Sequence, residues 1–451
     1  MNLKSAVTWC FIASLLVHSY LTTVLAQVPA RPKKLAPGVL TVVPPAPEEE
    51  ETYTGPFQLK DLNAVDFSPN YAPKTETVFE RAKKVVLRRP IWNLEFSFKP
   101  LRMIEADIPQ PSGKMEKKLI WYMVYRVRNI GSALIPKAEG AVERPTFVTE
   151  SSNALAPSPQ SAPNWFTPIF VLEGWVQDPV NGQYAKIPYT DRVIPAAEEK
   201  IREKEGPPIN PALKLLQSTD DKTPKNKLMN SAEVAQIIGL PLSDEANDNS
   251  AWGVVTWEDL DPRIDFLSIY VQGLTNAFRL RHGADGTPSY NYKTLQLNFW
   301  RPGDARDEHD DRIRRGVPLV TNPIEQARIF NFLSVPGPSI VAYEFDSQTD
   351  KQTFLFRADG QINAQLESEL QKQLNSGSFP DVLRQSFAQS GIAITGGVTL
   401  TKILEKSQWE FTANVDGVTR NFRLRYDPQY WQKTEEGIQI NERVDYFWVY
   451  R

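Results

Sequence analysis

The chain has 451 residues, of which 51 are Lys or Arg and 54 are Asp or Glu, so its formal net charge is only −3. This balance excludes a large basic surface of the kind that binds nucleic acid. The single cysteine, Cys10, excludes an intrachain disulfide, so a chain long enough for two or three domains must be stabilised by packing of its many aromatic side chains.

The start of the chain has the pattern of a secretory signal peptide. A single cation, Lys4, precedes an apolar stretch from Ala6 to Val17, and Val24-Leu25-Ala26 supplies the residues that signal peptidase needs. This predicts a signal peptide over residues 1–26. An uncut signal anchor is the alternative, because residues 6–26 approach the length that crosses a bilayer. Polar side chains near the end of this stretch favour cleavage.

Cleavage would restrict the chemistry of the protein as well as set its location. It would remove Cys10 and His18, which leaves His282 and His309 as the remaining histidines. We therefore expect an exported protein of the periplasm, cell envelope or medium, without thiol chemistry and without a later membrane span. The sequence contains no Asn-X-Ser/Thr acceptor, which favours a bacterial setting.

Residues 27–56 are predicted to form a Pro-rich, acidic linker. The segment holds seven prolines and the acidic run Glu48–Glu51. Proline removes backbone donors and favours polyproline II, which predicts a semi-rigid, solvated spacer. A ligand for a proline-recognising domain is the alternative.

Residues 57–316 are predicted to form a β domain. Apolar and polar side chains alternate over residues 91–99, which is typical of a half-buried strand. Residues 119–128 are apolar on both faces at first and should form a central strand, ended by Asn129-Ile130-Gly131. Further strands are predicted at 169–177, 183–189, 253–257, 264–272 and 294–300. Many strands with turns between them predict an immunoglobulin-like antiparallel β-sandwich.

A helical and loop insertion is predicted at about 190–250 within this domain. The segment from Pro195 to Glu205 begins with proline and is followed by Gly206, the asymmetry expected of a helix. It is polar nearly all round, which predicts an exposed helix. A short helix is predicted near residues 232–238.

Residues 323–451 are predicted to form a smaller α+β domain. The expected order is two strands, two helices and three strands, at 340–345, 353–357, 362–374, 380–389, 409–415, 422–426 and 444–450. Asp416-Gly417 between alternating segments is a strong hairpin signal. The string Phe278–Arg281 recurs as Phe422–Arg425, but a true repeat needs a longer match, so coincidence is the better interpretation.

Two acidic loops are candidates for Ca²⁺ binding. Asp259 to Asp265 supplies carboxylates that could bind the ion, although their spacing differs from an EF-hand, and turn formation is the favoured interpretation. Asp304 to Asp311 surrounds His309 with acids, which could bind a metal or raise the pKa of a general base. Acidic and basic residues interleave there, so a solvated loop is favoured.

Motifs for nucleophilic, phosphate-binding, zinc or dinucleotide chemistry do not occur in the sequence. We therefore assign no catalytic, cofactor-binding or metal-binding residue and expect no cofactor. Six aromatic residues could stack on sugars if exposed, although core positions are favoured for them: Trp165, Trp175, Trp300, Tyr430, Trp431 and Trp448.

Four strings of the sequence are distinctive together: Trp92–Arg102, Trp121–Arg126, Gln272–Asn276 and Leu295–Asp304. They resemble strings of uncharacterised exported proteins of planctomycete-type bacteria, and the resemblance covers about residues 57–316. It implies no known activity. The segment Tyr125 to Gly131 is also similar to the strand and turn of bacterial immunoglobulin-like modules, which implies the same fold as the strand pattern.

The leading hypothesis is a non-catalytic envelope or secreted protein that acts through protein or surface interactions. Its partner would be a protein or a cell-surface polymer, and its oligomeric state stays open. The alternative is an extracellular carboxylate-based hydrolase or a carbohydrate-binding protein. A hydrolase needs two acids facing each other across a cleft, roughly 5 to 9.5 Å apart. An interaction protein should present an exposed apolar or aromatic patch.

Overall fold

A computed structural model of the chain shows a mainly β protein with antiparallel sheets. Every ladder between its numbered strands is antiparallel. The residues described are 38–55, 87–139, 146–152, 165–177, 184–216, 225–237, 239–282, 288–301, 313–318, 320, 322–334, 339–345, 347, 352–359, 372, 379, 381–389, 392–404, 408–415, 417–427, 431–434, 437–440 and 445–451. Within these ranges no helix is long and apolar enough to cross a membrane. The predicted signal peptide lies outside them.

The first sheet is built around one long central strand. Its strands, numbered in chain order, are β1 (Thr41–Val43), β4 (Ile91–Phe98), β5 (Arg102–Pro109), β6 (Met115–Glu139), β7 (Thr146–Ser152) and β10 (Ala251–Trp257). The path runs β1-β4-β6-β10, and β5 and β7 also pair with β6. The alternating and central strands predicted from the sequence are therefore neighbours.

The central strand continues through the residues predicted to end it. Asn93 pairs with Ser132, whereas Glu95 pairs with Arg128, so β6 carries extra residues against β4. Within this bulge the side chain of Asn129 accepts from the backbone N–H of Gly131 at 3.0 Å. The residues predicted to form a turn therefore form a β-bulge, and the strand continues past them. The predicted strand end is wrong.

The strands of the second sheet are β8 (Ile169–Gln177), β9 (Tyr184–Thr190), β11 (Phe266–Gln272), β12 (Phe278–His282), β13 (Pro288–Trp300), β14 (Arg314–Arg315) and β22 (Tyr446–Tyr450). The main path of the sheet has the order β12-β13-β11-β8-β9. Both β14 and β22 pair with β13. The last strand of the chain therefore returns to a sheet formed mostly by residues 169–300.

The first and second sheets share one hydrophobic core. Phe170 of β8 lies 4.9 Å from Tyr125 and 6.4 Å from Phe96 between ring centroids, and Phe299 of β13 meets Phe98 edge to face. Gly253 of β10 pairs with Tyr125, and the tyrosine ring occupies the space that a Cβ atom at position 253 would need. This position therefore requires glycine. Aromatic packing thus joins the two sheets without disulfides.

The predicted helix from Pro195 to Glu205 exists as α1, but it is not exposed as expected. Ala197 and Ile201 are buried against the outer face of the first sheet. Glu198 is buried too, where it accepts from the backbone N–H of Ile194 at 3.2 Å. The exposure prediction is wrong because acidic side chains that find donors can be buried along with the few apolar ones.

The strands of the third sheet are β15 (Ser339–Phe345), β16 (Gln352–Asp359), β17 (Ile394–Leu404), β18 (Gln408–Val415) and β19 (Val418–Asp427). Their order in the sheet is β16-β15-β19-β18-β17. A helix, α4 (Asp381–Gln389), contributes Leu383 and Phe387 to its core. The predicted hairpin is confirmed, since Val415 pairs with Val418 around Gly417, whose φ is 80°. The predicted helix at 362–374 lies almost entirely outside the described residues.

Shorter elements complete the fold. They are α2 (Ser231–Val234), α3 (Pro323–Phe332), β2 (Tyr53–Gly55), β3 (Leu87–Arg88), β20 (Trp431–Thr434), β21 (Gly437–Ile440) and 3₁₀ turns at Glu49–Thr52 and Pro211–Leu215. All described residues belong to one unit, 36–451. The immunoglobulin-like arrangement and the separation into domains at 57–316 and 323–451 stay predictions.

Candidate functional site

The first acidic loop is occupied by the protein's own cations. Lys118 Nζ lies 3.0 Å from a carboxylate oxygen of Asp259, and Arg263 Nη2 lies 2.7 Å from Asp261 Oδ2. Hydrogen bonding from Arg263 holds the pKa of Asp261 below its ordinary value. No cluster of three or more metal-ligating side chains occurs in the described ranges. The carboxylates of this loop therefore make turn and ion-pair contacts, as favoured from the sequence.

The second candidate loop is not described. Residues 302–312, including His309, lie outside the described ranges. His282 ends β12, and its side chain lies outside the described part of the structure.

Most of the aromatic residues named as sugar-stacking candidates have contacts within the protein. Trp175 packs against Phe332 and below Lys186, Arg314 lies over Trp300, and Lys293 lies over Trp448. Trp165 is exposed, although its indole Nε1 donates to the carbonyl of Ala235 at 3.2 Å. Tyr430 and the side chain of Trp431 lie outside the described part. These positions act mainly as packing and cation-contact residues.

An exposed aromatic cluster occurs where the sequence did not suggest one. Tyr290 and Tyr292 of β13 are 45% and 48% exposed, and their ring centroids lie 5.3 and 6.1 Å from that of Phe278 on β12. The guanidinium of Arg89 lies 3.6 Å from the Phe278 centroid and donates to the carbonyl of Asn276 at 2.8 Å. We call Phe278, Tyr290 and Tyr292 the aromatic face.

A second feature is formed by the acidic run of the predicted linker. Residues 44–52, here called the acidic strap, follow β1 and pack against the fold. At their inner end, Glu51 forms an ion pair with Lys293 and accepts from the hydroxyl of Tyr450 at 2.5 Å. The side chains of Lys293 and Glu51 are 0% and 2% exposed. Part of the predicted spacer is therefore buried, because its charge is neutralised inside the protein.

The outer end of the acidic strap meets arginines of two sheets. Glu48 lies 3.2 Å from Arg357 and 3.8 Å from Arg279. Glu50 lies 3.2 Å from Arg425 and accepts from the hydroxyl of Tyr343. Each of the two carboxylates is thus held by donors from strands that are distant in sequence.

These contacts border an open cleft of about 410 Å³. Its lining residues are Pro47, Glu48, Glu49, Glu50, Tyr343, Gln408, Arg423 and Arg425. Arg423 is fixed by Glu410 through contacts of 2.6 and 3.0 Å and lies over the ring of Phe345. One wall is therefore a fixed set of arginine and tyrosine donors, and the other is the acidic strap.

Burial controls the protonation of the tyrosines at both ends of the acidic strap. Desolvation, and then the charge of Glu50, raises the pKa of Tyr343 above its ordinary value. Desolvation, and then the charge of Glu51, raises the pKa of Tyr450 in the same way. Both hydroxyls therefore stay protonated and can donate to the carboxylates at neutral pH.

The two similar strings noted in the sequence meet at this strap. Arg279 of the first string contacts Glu48, and Arg425 of the second contacts Glu50. The first lies on β12 and the second on β19, in different sheets. The sequence shows the two strings, but it does not indicate that they lie on either side of one acidic segment.

The remaining buried carboxylates bear on the hydrolase hypothesis, because such an enzyme needs two acids that face each other across a cleft. Glu205 is paired with Lys99 and Arg102, and Glu95 with Arg128. Asp191 differs, because burial raises its pKa and the hydroxyl of Ser231 donates to it at 2.5 Å. Most buried acids among the described residues are thus neutralised by a cation.

Comparisons with known proteins identify no relative. No family model, no curated protein and no solved structure matches this chain.

Proposed function

We propose that this protein is an exported, non-catalytic envelope or secreted protein that acts by binding a cell-surface polymer through its aromatic face. The observation that carries the proposal is the pair of exposed tyrosines, Tyr290 and Tyr292, set against Phe278. An exposed aromatic group of this kind is what distinguishes an interaction protein from a chain whose rings are all buried.

The aromatic face has the properties of a contact surface. Its two tyrosines alternate along one strand, so their side chains lie on the same side of the sheet, roughly 7 Å apart. Arg89, which follows β3, holds Phe278 by a cation–π contact and by hydrogen bonds to the carbonyls of Asn276 and Phe278. Tyrosine and arginine dominate binding energy at interfaces because they present a large apolar area with a polar end.

The tyrosines themselves supply polar groups that suit a hydroxylated polymer, because each phenolic hydroxyl can donate and accept a hydrogen bond. Binding sites for small polar ligands combine apolar walls with a few such groups. The proposal also retains the immunoglobulin-like scaffold for residues 57–316 and the α+β domain for 323–451.

The alternative, a carboxylate-based hydrolase, has less support. The carboxylates that line the described cleft include Glu48 and Glu50, which are paired with arginines. Both carboxylates are engaged by the protein's own donors, whereas a glycosidase needs two carboxyl groups that face its substrate across a cleft.

Sedimentation with purified peptidoglycan sacculi tests the proposed function. The wild-type chain should pellet with the sacculi, and the double variant Tyr290→Ala/Tyr292→Ala should bind at least about tenfold more weakly. Met115→Ala is the control, because it removes an apolar side chain that is still more exposed, at 62%, from a different hairpin. Equal pelleting of the double variant and the wild type would show that the aromatic face is not the binding surface.

A further inference from the structure

The cleft lined by Tyr343, Arg423 and Arg425 already binds one acidic segment, the acidic strap, and the two ends of this segment are held differently. At the inner end, Glu51 is buried with Lys293. At the outer end, the Glu48 side chain is 35% exposed and lies 3.2 Å from Arg357 and 3.8 Å from Arg279, whereas the Glu50 side chain is 8% exposed. Partly exposed ion pairs such as those of Glu48 contribute little, because water and salt compete for both charges. Release of the strap from the cleft would therefore begin at Glu48, while Glu51 stays anchored.

The walls of the cleft do not depend on the acidic strap for their shape. Arg423 is held by Glu410 and packs over Phe345, and Arg425 and Tyr343 lie on paired strands of the third sheet. Donors carried by paired strands are held more precisely than donors carried by loops. Open volume remains beside the strap, about 410 Å³.

We propose that this cleft is a binding site for an acidic peptide segment of a partner protein, and that residues Glu48–Glu50 are an internal competitor for it. Charge complementarity carries the choice of partner. Arginine clusters with fixed geometry are the usual receptors for acidic motifs. A peptide is favoured over other polyanions because the segment that the cleft now holds is itself a peptide with carboxylates on neighbouring residues.

The acidic strap lowers the apparent affinity of the cleft for an external peptide. Such a peptide binds only to molecules whose strap has left the cleft, so its apparent dissociation constant is the intrinsic constant divided by the fraction of these molecules. Neutralising Glu48 and Glu50 should raise this fraction and so tighten binding of an external acidic peptide. This inference is independent of the aromatic face, whose residues do not line the cleft.

Fluorescence anisotropy with labelled hexaglutamate and the full chain tests the proposal. Glu48→Gln/Glu50→Gln should bind the peptide at least about tenfold more tightly than wild type, and adding Arg425→Gln should abolish the gain. Glu203→Gln, an exposed charge change on α1, should behave as wild type. Tyr290→Ala/Tyr292→Ala should also bind hexaglutamate normally, which separates this site from the proposed function.

A second measurement guards against variants that fold poorly. Hydrogen exchange of the wild-type chain should become faster in residues 46–50 when hexaglutamate is added, because the strap is displaced. Unchanged exchange together with equal affinity of Glu48→Gln/Glu50→Gln and wild type would overturn the proposal. Binding of polygalacturonate at this site without binding of hexaglutamate would overturn the assignment to a peptide.

Discussion

Glu51 and Glu205 are buried carboxylates with the same kinds of donor, yet they are held differently. Glu205 accepts from Lys99, Arg102 and the hydroxyl of Tyr122. Glu51 has the corresponding tyrosine, but within the described part of the chain its ion pair is with one side-chain cation, Lys293. The cations of Glu205 are each 14% exposed, whereas Lys293 is 0% exposed.

The difference concerns what happens when one donor is removed. At Glu205 a second cation stays, and water can reach the remaining charges. At Glu51 the hydrogen bonds from Tyr450 and from the backbone N–H of Glu48 stay, but the ion pair is lost, and a buried unpaired charge is costly. The site that joins the acidic strap to the second sheet should therefore be the more fragile of the two.

The largest expected effect is that of Lys293→Met. It keeps the volume of the side chain but leaves Glu51 buried beside Tyr450, and we expect a loss of about 3–5 kcal/mol of unfolding free energy. Lys99→Met should cost clearly less, because Arg102 still pairs with Glu205. Urea unfolding of both variants measures the difference. The double variant Lys293→Met/Glu51→Gln should recover part of the loss, and strictly additive effects would contradict the pairing.

An intermediate effect is expected for the tyrosines. Tyr450→Phe and Tyr122→Phe each remove a hydrogen bond to a carboxylate, which should cost about 1.5–3 kcal/mol at pH 7. Burial, followed by the neighbouring glutamate, raises the pKa of both tyrosines in the folded state.

The same tyrosines predict a loss of stability in alkali. The unfolded chain releases the phenolic proton near pH 10, while the folded chain still retains it. The free energy of unfolding should therefore fall as the pH rises above about 10, and it should fall less steeply in Tyr450→Phe. Urea titrations from pH 8 to 11 would check this, and equal slopes in variant and wild type would contradict it.

The sequence predicted local structure well where one segment carried the whole signal. The strand at Ile169–Gln177 and the helix at Pro195–Glu205 have the predicted bounds. The alternation of apolar and polar residues and the residues that begin and end helices act over a few positions, so they can be recognised in a single sequence.

The candidate sites depend on partners far along the chain, and this is why they were missed. Glu51 meets Lys293 and Tyr450, which are 242 and 399 residues away. Nothing in a run of glutamates indicates which distant cations will neutralise it. The aromatic face left a weak local signal, since Tyr290 and Tyr292 alternate with polar residues, but the predicted strand began only at Thr294. Phe278 joins them solely through the register of β12 and β13.

The smallest expected effect separates the two ends of the acidic strap. Glu48→Gln should change the free energy of unfolding by less than about 1 kcal/mol, because its ion pairs are exposed and screened by salt. The comparison is with Glu51→Gln, which leaves Lys293 unpaired and should cost several times more. Urea unfolding at low and high salt would measure both. The Glu48→Gln effect should shrink with salt, while the Glu51→Gln effect should persist because ions do not reach a pair buried to this degree. If both substitutions were equally destabilising and equally insensitive to salt, the outer end of the strap would be as firmly held as the inner end, and its exchange for an external acidic segment would have no physical basis.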